Sequence, residues 1–348
     1  MDESGTDMGK EITGLWIGKE AAMKKKKNRG MTKKERVEAA ISGAIVDTVP
    51  YTIRVSPPEK MTVTAHAEFT ARTAREQDSD LLIAMHSDKY VQDFCGGENI
   101  FSQGEYQDWQ KIKPLSVNRG ILAEERDYLK CLLDKTKGEI PLLFTVLSPI
   151  TAAFKLCPSL AEHIENGHGN EVRRGLAAIT ETTCAFVQRL IETGADGIFF
   201  VAEKASYRFM EENLYREYGM PYDLAVLSAS SGWCNVLHAP GKEIMFPVLR
   251  KYPVQVFSWN DRDSLPSVRE AAMLMDACLM IGPGKREITE RDRNYIEYSL
   301  YNIMEQTNGK KVIVSAESRI SGKEDEEIIS FIRKAKKEIE EKVVKKNS

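Results

Sequence analysis

The chain has 348 residues, 42% of them hydrophobic and 29% charged, with a formal net charge of −3, an ordinary composition for a soluble globular protein. That balance excludes nucleic acid as the main partner, because phosphate binding needs a basic surface. No apolar run reaches the roughly 20 residues needed to cross a bilayer, so no membrane role is expected.

Six cysteines, Cys95, Cys131, Cys157, Cys184, Cys234 and Cys278, are scattered and never form a Cys-x-x-Cys pair. Reduced thiols in a cytoplasm, each buried for structural reasons, are the economical reading. Cys234 draws notice because it stands four residues before His238.

Residues 1–30 hold no sustained apolar period and end in the basic run Lys24–Lys27, Asn28, Arg29, Gly30. They read as a poorly packed amino-terminal extension with a solvated charge run. Met31 then opens a helical segment, which makes it a candidate natural start and sets the folded domain at residues 31–348.

Past Met31, short apolar β-branched runs alternate with longer stretches of helical period. Strands are expected at 49–56, 80–87, 142–148, 197–203, 233–239, 254–260, 277–282 and 311–316. They are apolar nearly throughout, as strands covered on both faces must be. Helical patterns at 170–193 and 291–306 place Leu176, Ile179, Phe186 and Leu190, then Tyr295, Ile296, Leu300 and Ile303, on one side. Eight such units in one chain predict an α/β fold, a (β/α)8 TIM barrel. The stretch from Val91 to Ser116 is too long for a simple loop and is expected as an excursion over the barrel mouth.

A barrel of this kind carries its chemistry at the carboxyl ends of its strands. The polar residues there are His86 and Asp88, Glu203, His238, Asn260 with Asp261, and Glu317. Carboxylates and imidazoles aimed at one mouth suit a metal or acid–base site. His66, His163 and His168 read instead as surface histidines.

The run Lys33-Lys34-Glu35-Arg36-Val37-Glu38-Ala39-Ala40, followed by Asp47-Thr48-Val49-Pro50, resembles the opening of the uroporphyrinogen decarboxylase superfamily. Asp108-Trp109 with Pro114-Leu115, Gly194-Ala195-Asp196-Gly197 and Gly282-Pro283-Gly284 resemble further stretches of that family, over roughly Met31 to Ile339. Ser87-Asp88 matches its catalytic aspartate. The true decarboxylases carry Arg-Gln-Ala-Gly-Arg-Tyr after the first strand, whereas this chain has Arg54-Val55-Ser56-Pro57-Pro58-Glu59. Phe154 stands where they have a tyrosine, and Ala316-Glu317-Ser318 where they have a histidine. Decarboxylation of uroporphyrinogen is therefore the alternative reading and not the first.

The other branch of the superfamily consists of zinc-dependent methyltransferases that work with corrinoids. Its coenzyme M members use His-x-Cys and a further Cys; here His238 matches, but Pro240 and Glu317 replace the thiols. The pattern Glu-x14-Glu-x20-His of O-demethylase methyltransferases is closer. Glu217 and His238 have twenty residues between them, and Glu203 and Glu217 have thirteen, one short of the pattern.

What this resemblance implies is zinc held by Glu203, Glu217 and His238, with Glu211, Glu212 or Cys234 as substitutes for Glu203. The metal would polarise the oxygen of an O-methylated small-molecule donor such as a methoxyaromatic. The acceptor would be the cobalt of a corrinoid on a partner protein, with Asp88 catalytic and His86, Asn260 and Glu317 lining the substrate. A non-catalytic corrinoid-binding member of the family is the third reading.

Overall fold

A computed structural model of the chain describes residues 30–344 except 57–60, 86, 88, 97–100, 102–103 and 322–325. At 55–56, 285, 316–321 and 326 it describes the backbone alone. The expected amino-terminal extension thus lies, but for Gly30, outside the described residues, as do His86 and Asp88.

Eight strands alternate with helices, as the apolar runs predict. They are β1 (Tyr51–Ser56), β2 (Leu82–Ala84), β3 (Leu142–Leu147), β4 (Gly197–Val201), β5 (Val236–Ala239), β6 (Val256–Trp259), β7 (Cys278–Ile281) and β8 (Val312–Ser321). All ladder pairs are parallel, in the order β1-β8-β7-β6-β5-β4-β3-β2. The fold is a (β/α)8 TIM barrel. The helices named below are α1 (Lys33–Ser42), α2 (Val63–Glu76), α3 (Gly120–Thr136), α4 (Pro149–Leu156), α5 (Gly169–Thr193), α6 (Glu212–Tyr218), α7 (Met220–Ser228), α8 (Phe246–Leu249), α9 (Val268–Leu274), α10 (Arg293–Thr307) and α11 (Glu326–Val343). None of the helices among the described residues is long and apolar enough to cross a membrane.

The two-residue period of each strand divides its apolar side chains between two cores. Leu143, Phe199, Val236, Val256, Cys278, Met280 and Ile313 fill the lower barrel, and Val37 and Ala40 of α1 plug it from below. Their neighbours Phe144, Ile198, Phe200, Leu237, Phe257, Leu279 and Val314 face outward into the helical layer. Cys234 belongs to the lower plug, and burial pushes its thiol and that of Cys278 far above the ordinary range. Both are structural, as expected.

The seam between β1 and β2 is closed largely by one carboxylate. The Asp80 amide donates to the Tyr51 carbonyl (2.8 Å), and the Tyr51 amide donates back to the Asp80 carboxylate (2.9 Å). The Thr52 hydroxyl adds a bond to the Leu81 carbonyl (2.6 Å). Arg36 of α1 donates to Asp80 and grips Asp47 through two nitrogens (2.7 and 2.8 Å). Glu340 of α11 accepts from the Val49 amide (3.0 Å) and the Thr48 hydroxyl (2.8 Å), and is itself paired with Lys336 (2.9 Å). The run Asp47-Thr48-Val49 therefore ties the first helix, the first strand and the last helix together.

Tertiary packing overturns two local expectations. His163 is buried: its Nδ1 accepts from the Trp109 indole (3.0 Å), which can only donate, so its Nε2 carries the proton and donates to the Gly104 carbonyl (2.9 Å). His66 is buried against the Tyr128 ring, with centroids 4.7 Å apart. His168 stacks on Tyr106 at 3.4 Å. The excursion places Trp109 against α5. A Cβ on Gly175 of that helix would lie 2.5 Å from the indole, so only glycine fits.

A polar knot joins α6, α7 and the turn after α8. Asp223 is fully buried and accepts from the hydroxyls of Tyr215 (2.5 Å) and Tyr252 (2.9 Å), which lie 3.2 Å apart. Its second oxygen is buried with no partner among the described residues. Burial outweighs the two donors and pushes the Asp223 carboxyl up to about 7.

Two predictions follow from these contacts. Asp80→Ala leaves Arg36 and the Tyr51 amide short of an acceptor and should cost about 3 kcal/mol of unfolding free energy. Asp80→Asn should cost less in the same denaturant titration, since its amide oxygen still accepts from Tyr51. For Asp223, a folded value above the unfolded one means a favourable contribution at low pH that is lost as pH rises through about 7. Asp223→Asn, which keeps an acceptor for the tyrosines, should gain melting temperature over wild type at about pH 8, with the gap narrowing as pH falls below about 7 and closing at about pH 4.

Candidate active site at the barrel mouth

The carboxyl ends of the parallel strands form the mouth, and β5 delivers His238 to it. In register, His238 pairs with Val201 of β4 and Ser258 of β6. The side chain is only 4% exposed. Its Nδ1 lies 3.0 Å from the Ser258 hydroxyl, and its ring lies 4.8 Å from that of Phe199. The guanidinium of Arg54, from β1, covers Phe199 at 4.8 Å.

Burial first, and then the positive charge of Arg54, hold His238 well below the ordinary histidine range. The ring is therefore neutral near pH 7. With Nδ1 engaged by Ser258, Nε2 is the nitrogen left for a ligand or substrate. Sequence reasoning found His238 from its place at a strand end but missed Ser258, one residue before the end of β6.

Glu203 leaves the end of β4 at the same rim, with its side chain 41% exposed and its carboxylate 2.9 Å from the Lys204 ammonium. Lys204 sits 3.7 Å over the Phe209 ring and 5.9 Å from that of Phe154, on α4. The rim thus holds one fixed cation between two aromatic walls. That feature was missed, because the phenylalanines are fifty-five positions apart in the sequence.

Glu217 is placed elsewhere. It lies in α6, 53% exposed, with its carboxylate paired to Arg173 of α5, whose guanidinium in turn covers Tyr218 at 4.3 Å. A seven-residue helix that buries Tyr215 and Tyr218 turns residue 217 outward. Glu212 is likewise engaged, by both Arg216 nitrogens (2.8 and 2.6 Å). Among the described residues no three His, Cys, Asp or Glu side chains are grouped to hold a metal ion. Glu203, Glu217 and His238 therefore do not fit zinc as a set in this arrangement, and no step below is routed through the metal.

Asn260 is buried just past β6, but its side chain serves its own loop. The amide donates to Asp263 (2.5 Å), and the oxygen accepts from the Arg262 backbone (3.1 Å). Glu317 lies within β8, and its side chain is outside the described residues, as are His86 and Asp88 entirely. Between Asn260 and β8 the rim carries Gly282 and Gly284, the latter against the Glu287 carboxylate and the Asn260 amide. A Cβ on Gly282 would lie 2.0 Å from the Ser315 carbonyl oxygen, so β7 and β8 can approach here only through glycine.

Comparisons with known proteins agree with this architecture. The signature of the family described as "Uroporphyrinogen decarboxylase (URO-D)" matches residues 98–339. The methylcobamide:CoM methyltransferase MtbA of Methanosarcina acetivorans is 27% identical over 132 residues, covering 35% of this chain and 36% of that protein. The protein of the same name from Methanosarcina mazei is 27% identical over 146 residues, covering 39% and 40%. The chain thus matches well under half the length of these curated relatives. Among solved structures, a methyltransferase from Methanosarcina mazei superposes with TM-score 0.76 at 16% identity, covering 88% of this chain and 99% of that one. A B12-independent methionine synthase from a Shewanella species gives 0.58 at 11% identity, covering 85% and 97%. At those identities the superpositions speak for the fold alone. The family signature, by contrast, spans well over half of the sequence and is seated on the barrel described above: the chain belongs to the uroporphyrinogen decarboxylase (URO-D) family.

Proposed function

We propose that the chain is a methyltransferase that moves a methyl group from an O-methylated small molecule, such as a methoxyaromatic, to the cobalt of a corrinoid carried by a partner protein. The observation that carries the reading is the neutral, buried His238 imidazole at the mouth. The similarity to methylcobamide methyltransferases supports it over the part of the chain that they share.

Reduced corrinoid cobalt supplies the nucleophile when the partner is docked. The chain's own residues bind, orient and exclude water. His238, fixed through Nδ1 by Ser258, offers Nε2 to the donor. Phe154 and Phe209 are aromatic walls against which a flat donor can lie. Lys204 sets a positive charge on the rim, where negative charge develops on an oxygen losing its methyl group. Glu203 holds that ammonium in place. Zinc would need donors beyond the described grouping, and Glu217 would have to leave Arg173 to become one.

Decarboxylation of a porphyrinogen suits this mouth less well. The arginine of the first strand, Arg54, is spent on Phe199 and on the electrostatics of His238.

Transfer from a methoxylated aromatic to reduced corrinoid tests the proposal. His238→Ala should lower kcat/KM by roughly a hundredfold, about 2.7 kcal/mol of transition-state stabilisation. Glu217→Gln should change it by no more than about twofold, as befits an exposed ion pair. Full activity in His238→Ala, or brisk turnover of uroporphyrinogen by the wild type, would sink the assignment.

A further inference from the structure

The loop after β6 contains a charged side chain with two buried donors that no described residue accepts from. Arg262 has its guanidinium 5.5 Å from the Tyr298 ring and 5.9 Å from the Tyr295 ring, both on α10. Its side chain is 21% exposed, yet Nε and Nη2 are both shielded from solvent and have no acceptor among the described residues. The two atoms project along one edge of the planar guanidinium. That edge is the fork that fits two oxygens of a single anion. Buried donors of this kind are usually satisfied, so two on one edge indicate a partner with two oxygens.

The surroundings are rigid where it matters. The Asn260 side chain accepts from the Arg262 amide (3.1 Å) and donates to Asp263 (2.5 Å), which fixes the turn that carries the arginine. One carboxylate comes near the edge without closing on it: Asp261 Oδ2 lies 3.6 Å from Nε. Burial raises the carboxyl of Asp261 and the charge of Arg262 opposes that rise, so the two are coupled through space without a hydrogen bond between them. Tyr298, whose ring flanks the guanidinium, is 56% exposed.

We propose that Arg262, flanked by Tyr295 and Tyr298, is the anchor of an oxyanion-binding site beside the barrel mouth, taking a phosphate, sulfonate or carboxylate through its Nε and Nη2 edge. Such a group has two possible sources: a free small oxyanion or the phosphodiester of a corrinoid's nucleotide loop. Asp261 is the internal competitor that an arriving anion displaces.

Calorimetric titration of the full chain with inorganic phosphate tests this without reference to methyl transfer. Wild type should bind saturably, Arg262→Gln should bind at least about tenfold more weakly, and Asp261→Asn should bind severalfold more tightly. Competition then separates the sources. Displacement of phosphate by cobalamin but not by cobinamide, which lacks the nucleotide loop, assigns the site to the corrinoid phosphodiester; displacement by neither assigns it to a small oxyanion. No saturable phosphate binding by the wild type, or equal binding by Arg262→Gln, overturns the proposal. Should Arg262→Gln not fold, Asp261→Asn decides alone, and unchanged or weaker phosphate affinity in that variant overturns it as well. Loss of methyl transfer with phosphate binding intact would instead count against the proposed function.

Discussion

The barrel depends on how its first and second strands are held. β2 has only three residues in the ladder and pairs with β3, so the β1 edge must be met by something other than a regular sheet. Asp80 meets it by accepting from one backbone amide, while its own amide donates to the same residue of β1. A carboxylate buried to that degree is tolerable only beside a cation. Arg36 is that cation, and Asp47 holds Arg36 from the other side. Helix α1 is thereby pinned across the floor, where Val37 and Ala40 complete the plug. The amino-terminal ends of the strands are given to this network, and the opposite ends are left for chemistry.

At that opposite end the same physics works in reverse. The lower barrel is dry and apolar up to Phe199, and His238 rests directly on that ring. The dryness that makes the core stable keeps the imidazole uncharged, and Arg54 reinforces the effect. A neutral ring with one nitrogen tethered is a directional donor or acceptor with little freedom to reorient. The floor of the site is thus prepared by the core beneath it, and the rim above supplies the charge, through Glu203, Lys204 and Arg262.

Much of the fold was legible because strands covered on both faces are apolar without interruption, a pattern that loops and surface helices do not imitate. His238 and Glu203 were legible for a related reason: each is the first polar side chain after such a run. The setting of Glu217, paired with Arg173 on the helical layer, was not legible. Its interval to His238 counts residues along the chain, whereas the helix that carries it is oriented by Tyr215 and Tyr218, and the spacing cannot report which way residue 217 turns. His163 failed similarly, since a Gly- and Asn-rich neighbourhood reads as surface until Trp109, fifty-four positions earlier, folds over it. Asp223 with Tyr252 and Arg262 with Tyr298 are pairings between distant segments, and nothing local marks them.

The glycine at the end of β7 has an implication for how such a mouth can diversify. Because any side chain at position 282 would collide with the Ser315 carbonyl, that arc of the rim is barred from variation. The ends of β4, β5 and β6, which supply Lys204, His238 and Arg262, carry no such constraint. Selection for a different ligand, or a library built for one, therefore finds no room at position 282, where β7 and β8 meet main chain to main chain.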